Sequence, residues 1–450
     1  MNTSSRVDTD CQSNIWYNTA EMETRHDDII RVNGNKTLKG TVKVSGAKNS
    51  ALKLIAASIL AADKCVIKNV PDISDIKIMC EVLTSLGAKV NRTDHSLEID
   101  TSKIDKVEAS YELVSQMRAS IAVLGPLIGR FGKANVAMPG GCQIGARKID
   151  MHLMGLRQMG VKFNVDHGFL NATCPDGLHG ANVRLDFASV GATENILMAA
   201  VCADGKTVID NAAREPEIAD LCEFLNEMGA KISGAGTSVI EIEGVDSKTL
   251  KGCTHTTCGD RIEAGTYLVG GAATGGPLTV EGINPNYLKT AIRKFRDMGV
   301  TVEIGEDKIT VSRDASKPLR PVQIQTLPHP GFPTDLQAQF MLLACFADGH
   351  SIISENIFEN RFMFASEIIR MGANITIEEH HAFIKGPVNL QGAPVSSTDL
   401  RAGASLVLAG IMAEGYTTVM EVGHIDRGYE DFCDKISKLG ADVKRETALN

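Results

Sequence analysis

Leu86-Gly87-Ala88-Lys89-Val90 is the first of six copies of one phrase, and that phrase decides the fold. A Leu or Met is followed by Gly, then by Ala or Val, then by an alternating strand. The other copies are Met159-Gly160-Val161, Met228-Gly229-Ala230-Lys231-Ile232, Met298-Gly299-Val300, Met371-Gly372-Ala373 and Leu439-Gly440-Ala441. Their glycines lie 73, 69, 70, 73 and 68 residues apart, a regularity that marks internal repetition. Gly suits a helix C-terminus because it takes a positive φ without a Cβ clash. A second phrase recurs half a period out of step, in Ala203-Asp204-Gly205, Ala347-Asp348-Gly349 and Ala413-Glu414-Gly415, where an apolar helix ends and a strand begins. Each unit therefore reads as an apolar helix, a strand, a polar loop, an amphipathic helix ending at Gly, and a departing strand. The amphipathic helix is plainest over 217–225, with apolar residues at helical spacing. The expected class is α/β, built from six repeated βα units. The first helix of each unit is apolar nearly all round and has to be buried on every side. That argues against a solenoid and for two globular domains of three units each, with a cleft between them as the place for ligands.

The bulk numbers narrow the function. The chain has 450 residues, with 46 Lys and Arg against 55 Asp and Glu, so its net charge of −9 argues against a nucleic-acid partner. Apolar residues at 43% and charged residues at 22% fit a soluble globular protein. Eleven cysteines are scattered without a CxxC pair, which points to free thiols in a reducing, cytoplasmic setting. The longest clean apolar run, 404–413, falls short of the roughly 20 residues a membrane helix needs, so no membrane partner is expected. Residues 1–28 are polar and lack an apolar signal core; they read as a flexible extension, or as sequence upstream of a start at Met22.

The chemistry is expected where the buried helices begin. These starts read Ser45-Gly46-Ala47-Lys48-Asn49, Ser115-Gln116-Met117-Arg118, Ser189-Val190-Gly191-Ala192-Thr193, Asp260-Arg261-Ile262-Glu263, Pro333-Thr334-Asp335 and Thr398-Asp399-Leu400-Arg401. Helix N-termini attract anions. Ser45 and Thr334 are explained as N-caps. Lys48, Arg118 and Arg401 are not, because the dipole disfavours a cation in the first turn. The loop Pro139-Gly140-Gly141-Cys142-Gln143-Ile144-Gly145-Ala146-Arg147 sets one thiol among glycines near a guanidinium, an arrangement that can activate it. Cys65, Cys80, Cys202, Cys222 and Cys345 read as buried and inert. Equivalent later loops carry Glu359-Asn360-Arg361 and His424-Ile425-Asp426-Arg427. Cys253, His255 and Cys258 supply only three ligands at non-standard spacing, so no metal is assigned. This inventory suits phosphoenolpyruvate, whose phosphate and carboxylate need several cations at close range. Adding an alcohol across its double bond needs a base, for which Asp335 is a candidate, and an acid, for which Cys142 is. No cofactor is required, and no Walker loop or convincing dinucleotide fingerprint is present.

Over about residues 30–445 the sequence resembles the UDP-N-acetylglucosamine enolpyruvyl transferase (1-carboxyvinyltransferase) family. The resemblance is carried by SGAKNSAL, MRAS, PGGCQIGAR, SVGATENI, NAAREPEI, DRIEAGT, HPGFPTDLQAQF, FENRF, TDLRAGASLVLAG and HIDRGYE, in that order. It implies a two-domain inside-out α/β barrel with three units per domain. One domain would span 48–257 and carry the cysteine loop; the other would combine 29–47 with 258–450, and the active site would lie between them. It implies transfer of the enolpyruvyl group of phosphoenolpyruvate to the 3-hydroxyl of UDP-N-acetylglucosamine, the first committed step of peptidoglycan synthesis, and so a part in cell-wall biogenesis, cell shape and division. Cys142 would be the general acid, the site of a covalent adduct and the target of fosfomycin. Asp335 would take the hydroxyl proton. Lys48, with Asn49 beside it, would bind phosphoenolpyruvate together with Arg118, Arg147, Arg401 and Arg427. Asp399 and Arg361 would orient that group. The sugar nucleotide would be contacted by Arg147, Lys148, Ile149, Asp150, Met151, Phe187, Ala188, Ser189, Val190, Asp335 and Ile357. Departures from the family pattern fall at four places: Lys148 and Gly259 stand where Pro is usual, Phe364-Ala365-Ser366 where His-Val-Pro is common, and Phe187 where some members carry Lys. The departures leave open a paralogue acting on a different UDP-sugar, or one that binds without turnover. The loop with Cys142 argues against the shikimate-pathway transferase of the same fold.

Overall fold

All six glycines of the repeated phrase take a positive φ, from +92° at Gly299 to +109° at Gly87, and each ends an amphipathic helix. The computed structural model describes residues 28–109, 111–138, 144–145, 148–314 and 316–447, with the side chains of 114–116 and 118–120 left out. Within these residues the strand leaving each of the first five glycines turns back as a hairpin, a return strand absent from the sequence reading. The result is six four-stranded sheets with one common pattern: a parallel pair followed by two antiparallel neighbours. In the first, Thr254–Thr256 lies parallel to Lys64–Lys68, which pairs antiparallel with Ser96–Asp100 and through it with Lys89–Thr93.

Chain order and sheet order differ in three places. Thr254–Thr256 returns to the first sheet after two further units have been built. Gly40–Lys43 pairs with Leu278–Glu281, far along the chain. Asp28–Asn33 sits between Tyr416–Met420 and Asp442–Thr447, where it supplies the strand that the sixth unit lacks. Asp28, read from sequence as the end of the extension, thus begins the first strand; residues 1–27 lie outside the described residues.

The buried helices are α1 (Lys48–Ala57), α2 (Leu124–Phe131), α3 (Val190–Ala200), α4 (Arg261–Thr274), α5 (Gln337–Ala344) and α6 (Leu400–Met412). Every residue of α4 from Arg261 to Ala273 is buried, as an all-round apolar helix requires. The first three helices share one hydrophobic core and the last three another. Each core closes over three sheets.

Two short segments cross between the halves side by side. Gly46 and Gly259 form an antiparallel bridge, Ala47 N–H donates to Cys258 O (2.7 Å) and Asp260 N–H to Ser45 O (2.9 Å). The Asp260 carboxylate then accepts the N–H groups of Ile262 and Glu263 at the start of α4 and that of Lys48 at the start of α1. One side chain caps two helices that belong to different cores. Ser189 and Asp399 also cap their helices. The capping expected of Ser45 and Thr334 is absent: each hydroxyl instead donates to a carboxylate, Ser45 to Glu430 and Thr334 to Glu355. Ala47 holds the cap position of α1, and a 3-10 turn, Thr334–Leu336, precedes α5. A similar 3-10 stretch, Arg118–Val123, precedes α2.

Candidate active site

The starts of α1, α3, α4 and α6, with the turn before α5, face one another across the two halves. They enclose a cavity of about 680 Å³. From the first half it is lined by Lys48 and Asn49 in the first turn of α1, by Lys148, Ile149, Asp150 and Met151 where the helix Asp150–Gln158 begins, and by Phe187, Ala188, Ser189 and Val190 at the start of α3. From the second half come Asp335, Ile357, Arg361, Asp399, Arg401 and Arg427. All the candidates among the described side chains line this one cavity. Cys142 and Arg147 lie outside the described residues, and so does the Arg118 side chain. The flank of the cysteine loop is described, and it reaches the opposite half: Ile144 O accepts from Asn360 N–H (3.2 Å). Gly145, at φ +149°, backs against Glu359 so closely that a Cβ there would strike the carboxylate.

The predicted cations do not stand alone. Asp335 Oδ1 accepts from Arg361 Nη2 (3.0 Å), and its Oδ2 lies 3.4 Å from Arg401 Nε. Arg401, only 3% exposed, also stacks over the Tyr429 ring at 5.2 Å. Burial pushes Arg401 down, but Tyr429, Asp335 and Asp260 outweigh it and hold the guanidinium above its ordinary pKa. Across the cleft, Lys48 Nζ meets Asp75 Oδ2 at 2.7 Å, and Arg427 Nε donates to Asp75 Oδ1 (3.0 Å). Burial pushes the Lys48 ammonium down; Asp75 opposes that shift, while Arg427 and Arg401 add to it, and the net is a lowered pKa. Asp399 spends its carboxylate on the backbone N–H groups of Arg401 and Ala402, which fixes the turn that presents Arg401.

A second layer escaped the sequence reading. Lys53 Nζ pairs with Glu194 (2.7 Å), Arg261 Nε donates to Glu217 (3.0 Å), and Glu215 accepts from His329 N–H (3.1 Å); all six residues line the cavity. Burial pushes the Glu194 and Glu215 carboxyls up. Burial, then Arg261, Arg214 and Lys289, push the His329 imidazole down to about 4, so it enters the site uncharged at neutral pH. Glu194, Glu215 with Glu217, and Arg261 sit inside the SVGATENI, NAAREPEI and DRIEAGT phrases, so the stretches were visible and the individual roles were not. Among the described lining residues seven Lys and Arg meet eight Asp and Glu, and the carboxylates of Asp75 and Asp335 already pair with Lys48, Arg427, Arg361 and Arg401.

Of the five thiols read as buried, Cys65, Cys222 and Cys345 are buried and Cys80 and Cys202 are half-buried; burial pushes Cys202, Cys222 and Cys345 up to about 12, while the contact with Cys253 pushes Cys65 down. His255 bridges Asp220 and Glu227 through its two ring nitrogens, and among the described residues no cluster of three His, Cys, Asp or Glu is arranged to hold a metal ion. No described helix is long and apolar enough to cross a membrane.

Comparison with known proteins bears on this site. The family model for EPSP synthase (3-phosphoshikimate 1-carboxyvinyltransferase) matches residues 32–436. UDP-N-acetylglucosamine 1-carboxyvinyltransferase 2 of Carboxydothermus hydrogenoformans is 51% identical over 92% of this chain and 98% of its own length. UDP-N-acetylglucosamine 1-carboxyvinyltransferase 1 of Staphylococcus aureus is 49% identical over 93% of this chain and 99% of its own. Among solved structures, the enolpyruvyl transferase NikO from Streptomyces tendae superposes with a TM-score of 0.86 at 27% identity, covering 94% of this chain and all of that one. EPSP synthase from Acinetobacter baumannii shares the fold, with a TM-score of 0.72 at 18% identity over 93% of this chain and 99% of its own. With the family model spanning most of its length and half its residues shared with these relatives, the chain belongs to the enolpyruvyl (1-carboxyvinyl) transferase family, alongside the UDP-N-acetylglucosamine 1-carboxyvinyltransferases.

Proposed function

We propose that this protein transfers the enolpyruvyl group of phosphoenolpyruvate to the 3-hydroxyl of UDP-N-acetylglucosamine and releases phosphate. The observation that carries the reading is the convergence of Lys48, Arg401, Arg427 and the Arg361–Asp335 pair on one cavity between the halves. The relatives that share half of the sequence bear the corresponding name. Asp335 takes the proton of the sugar hydroxyl as its oxygen adds to C2 of phosphoenolpyruvate, and Cys142 delivers a proton to C3. In the second step the Cys142 thiolate takes a proton from the new methyl group, the double bond re-forms, and phosphate departs from C2 with the proton that Asp335 held. Lys48, Arg118, Arg147, Arg401 and Arg427 hold the anionic groups, and Arg361 and Asp399 orient Asp335 and Arg401. The segments 148–151 and 187–190, with Ile357, form the sugar-nucleotide side. The reaction needs no metal or organic cofactor. We read the molecule as two inside-out barrels, 48–257 and 29–47 joined with 258–450, acting in the cytoplasm at the entry to peptidoglycan synthesis.

The test is phosphate release from phosphoenolpyruvate, with and without UDP-N-acetylglucosamine, for the native protein and Cys142→Ala. Sugar-dependent release that falls at least a hundredfold in the variant is expected. Release that ignores the sugar, or survives the substitution, sinks the assignment. One observation favours a related acceptor: Phe187, 42% exposed, presents an apolar ring to the cavity. A panel of UDP-sugars separates the two readings, since the true acceptor gives the highest kcat/KM.

A further inference from the structure

The carboxylate of Asp75 is 2% exposed and stands in the first turn of the helix Ser74–Leu86. It touches cations from both halves of the molecule: Lys48 Nζ at 2.7 Å from α1, and Arg427 Nε and Nη2 at 3.0 and 3.4 Å from the segment after Gly423–Asp426. Buried ion pairs are a weak source of stability, because desolvation offsets most of the Coulombic gain. A carboxylate buried at the wall of a cavity, fixing two cations that would otherwise repel, therefore points beyond stability. We propose that Asp75 is a positioning residue of the anion end of the site: it holds Lys48 and Arg427 together across the cleft and yields them, as a resident counter-ion, to the anionic group of the entering substrate. The inference rests on the proposed function, in which that group is the phosphate or carboxylate of phosphoenolpyruvate. Asp75 makes no bond to the reacting carbons; it acts through Lys48 and Arg427.

The groups facing Lys48 define what Asp75 does. Arg427 and Arg401 approach it from the second half, and the Asp260 carboxylate is occupied by the Lys48 backbone N–H and the first N–H groups of α4. Among the described residues Asp75 is the carboxylate bonded to the ammonium itself. Without its charge the two guanidiniums and burial act on Lys48 unopposed, and the lysine loses its proton at lower pH. With it, the Asp75 carboxylate opposes that shift until a substrate anion takes its place.

The experiment is phosphate release by the native protein, Asp75→Asn and Asp75→Glu, measured against phosphoenolpyruvate concentration and pH. Asp75→Asn is expected to lower kcat at least tenfold and to move the alkaline limb of kcat/KM for phosphoenolpyruvate to lower pH. Asp75→Glu restores the charge and is expected to return that limb towards its native place while kcat stays reduced by the longer side chain. A folded Asp75→Asn protein with native kcat, KM and alkaline limb overturns the proposal. Should Asp75→Asn fail to fold by circular dichroism, Asp75→Glu decides, and a native kcat there overturns it. Absence of turnover in the native protein counts against the proposed function instead; the alkaline limb of phosphoenolpyruvate binding, read by calorimetry on the same proteins, then tests Asp75 independently.

Discussion

Asp335 is held by two guanidiniums, which fix its carboxylate towards the cavity. Asp335→Asn keeps the shape and removes the proton acceptor. Turnover is expected to fall by about 10²- to 10⁴-fold, the usual worth of a general base, with UDP-sugar affinity by calorimetry changed only a few-fold. Asp75 also predicts a pH effect on stability. Burial alone would raise its pKa, but Lys48 and Arg427 outweigh burial and hold the carboxyl below the usual range. Its contribution is therefore present above the ordinary carboxylate pKa and is lost as the pH falls through the lower folded value. The difference in melting temperature between native protein and Asp75→Asn should narrow as the pH is taken from 7 towards 3; a constant difference contradicts it. The sequence disclosed Lys48 and Arg401 because a cation in the first turn of a helix breaks the dipole rule. It hid Asp75 and Glu217 because an acid in the first turn obeys it. The partner that gives Asp75 its meaning, Arg427, is 352 residues away.

At the scale of elements, the helix ends were the legible part. A glycine every ~70 residues can be read without knowing any contact, because the demand for positive φ is local. The return strands were not, since their alternation at 96–100 or 239–243 is short and their pairing is set by the turn before them. Caps were misread where hydroxyls found carboxylates from distant segments, as Ser45 and Thr334 did. Asp260, which serves α1 and α4 together, gives the sharpest prediction here. Asp260→Ala should lower the unfolding free energy by about 1–2 kcal/mol, near the top of the range for a cap. Ser189→Ala removes a single 3.3 Å bond at α3 and should cost less. Urea titration of both variants tests the order, and an equal or reversed ranking refutes the double cap.

Across the whole molecule the two cores behave as separate stores of buried surface. Leu54 in the first and Leu406 in the second are fully buried. Either Leu→Ala change is expected to cost about 2–5 kcal/mol, and because the two sites share no cluster their effects should add. A double variant clearly more or less stable than that sum, by calorimetry, would mean that the cores are coupled. The crossing strands hold a different consequence. Asp28 lies directly opposite Thr447 on antiparallel neighbours, so the two ends of the described chain meet as the ends of a hairpin do. A short turn can join such strands, which would close the backbone into a ring. Reopening that ring between Thr257 and Cys258 would give a circular permutant in which each half is continuous in sequence, with one covalent crossing in place of two. The natural chain, by contrast, threads its first strands through the half it otherwise reaches last, so the cleft is spanned twice and the two halves remain tethered if either crossing is cut.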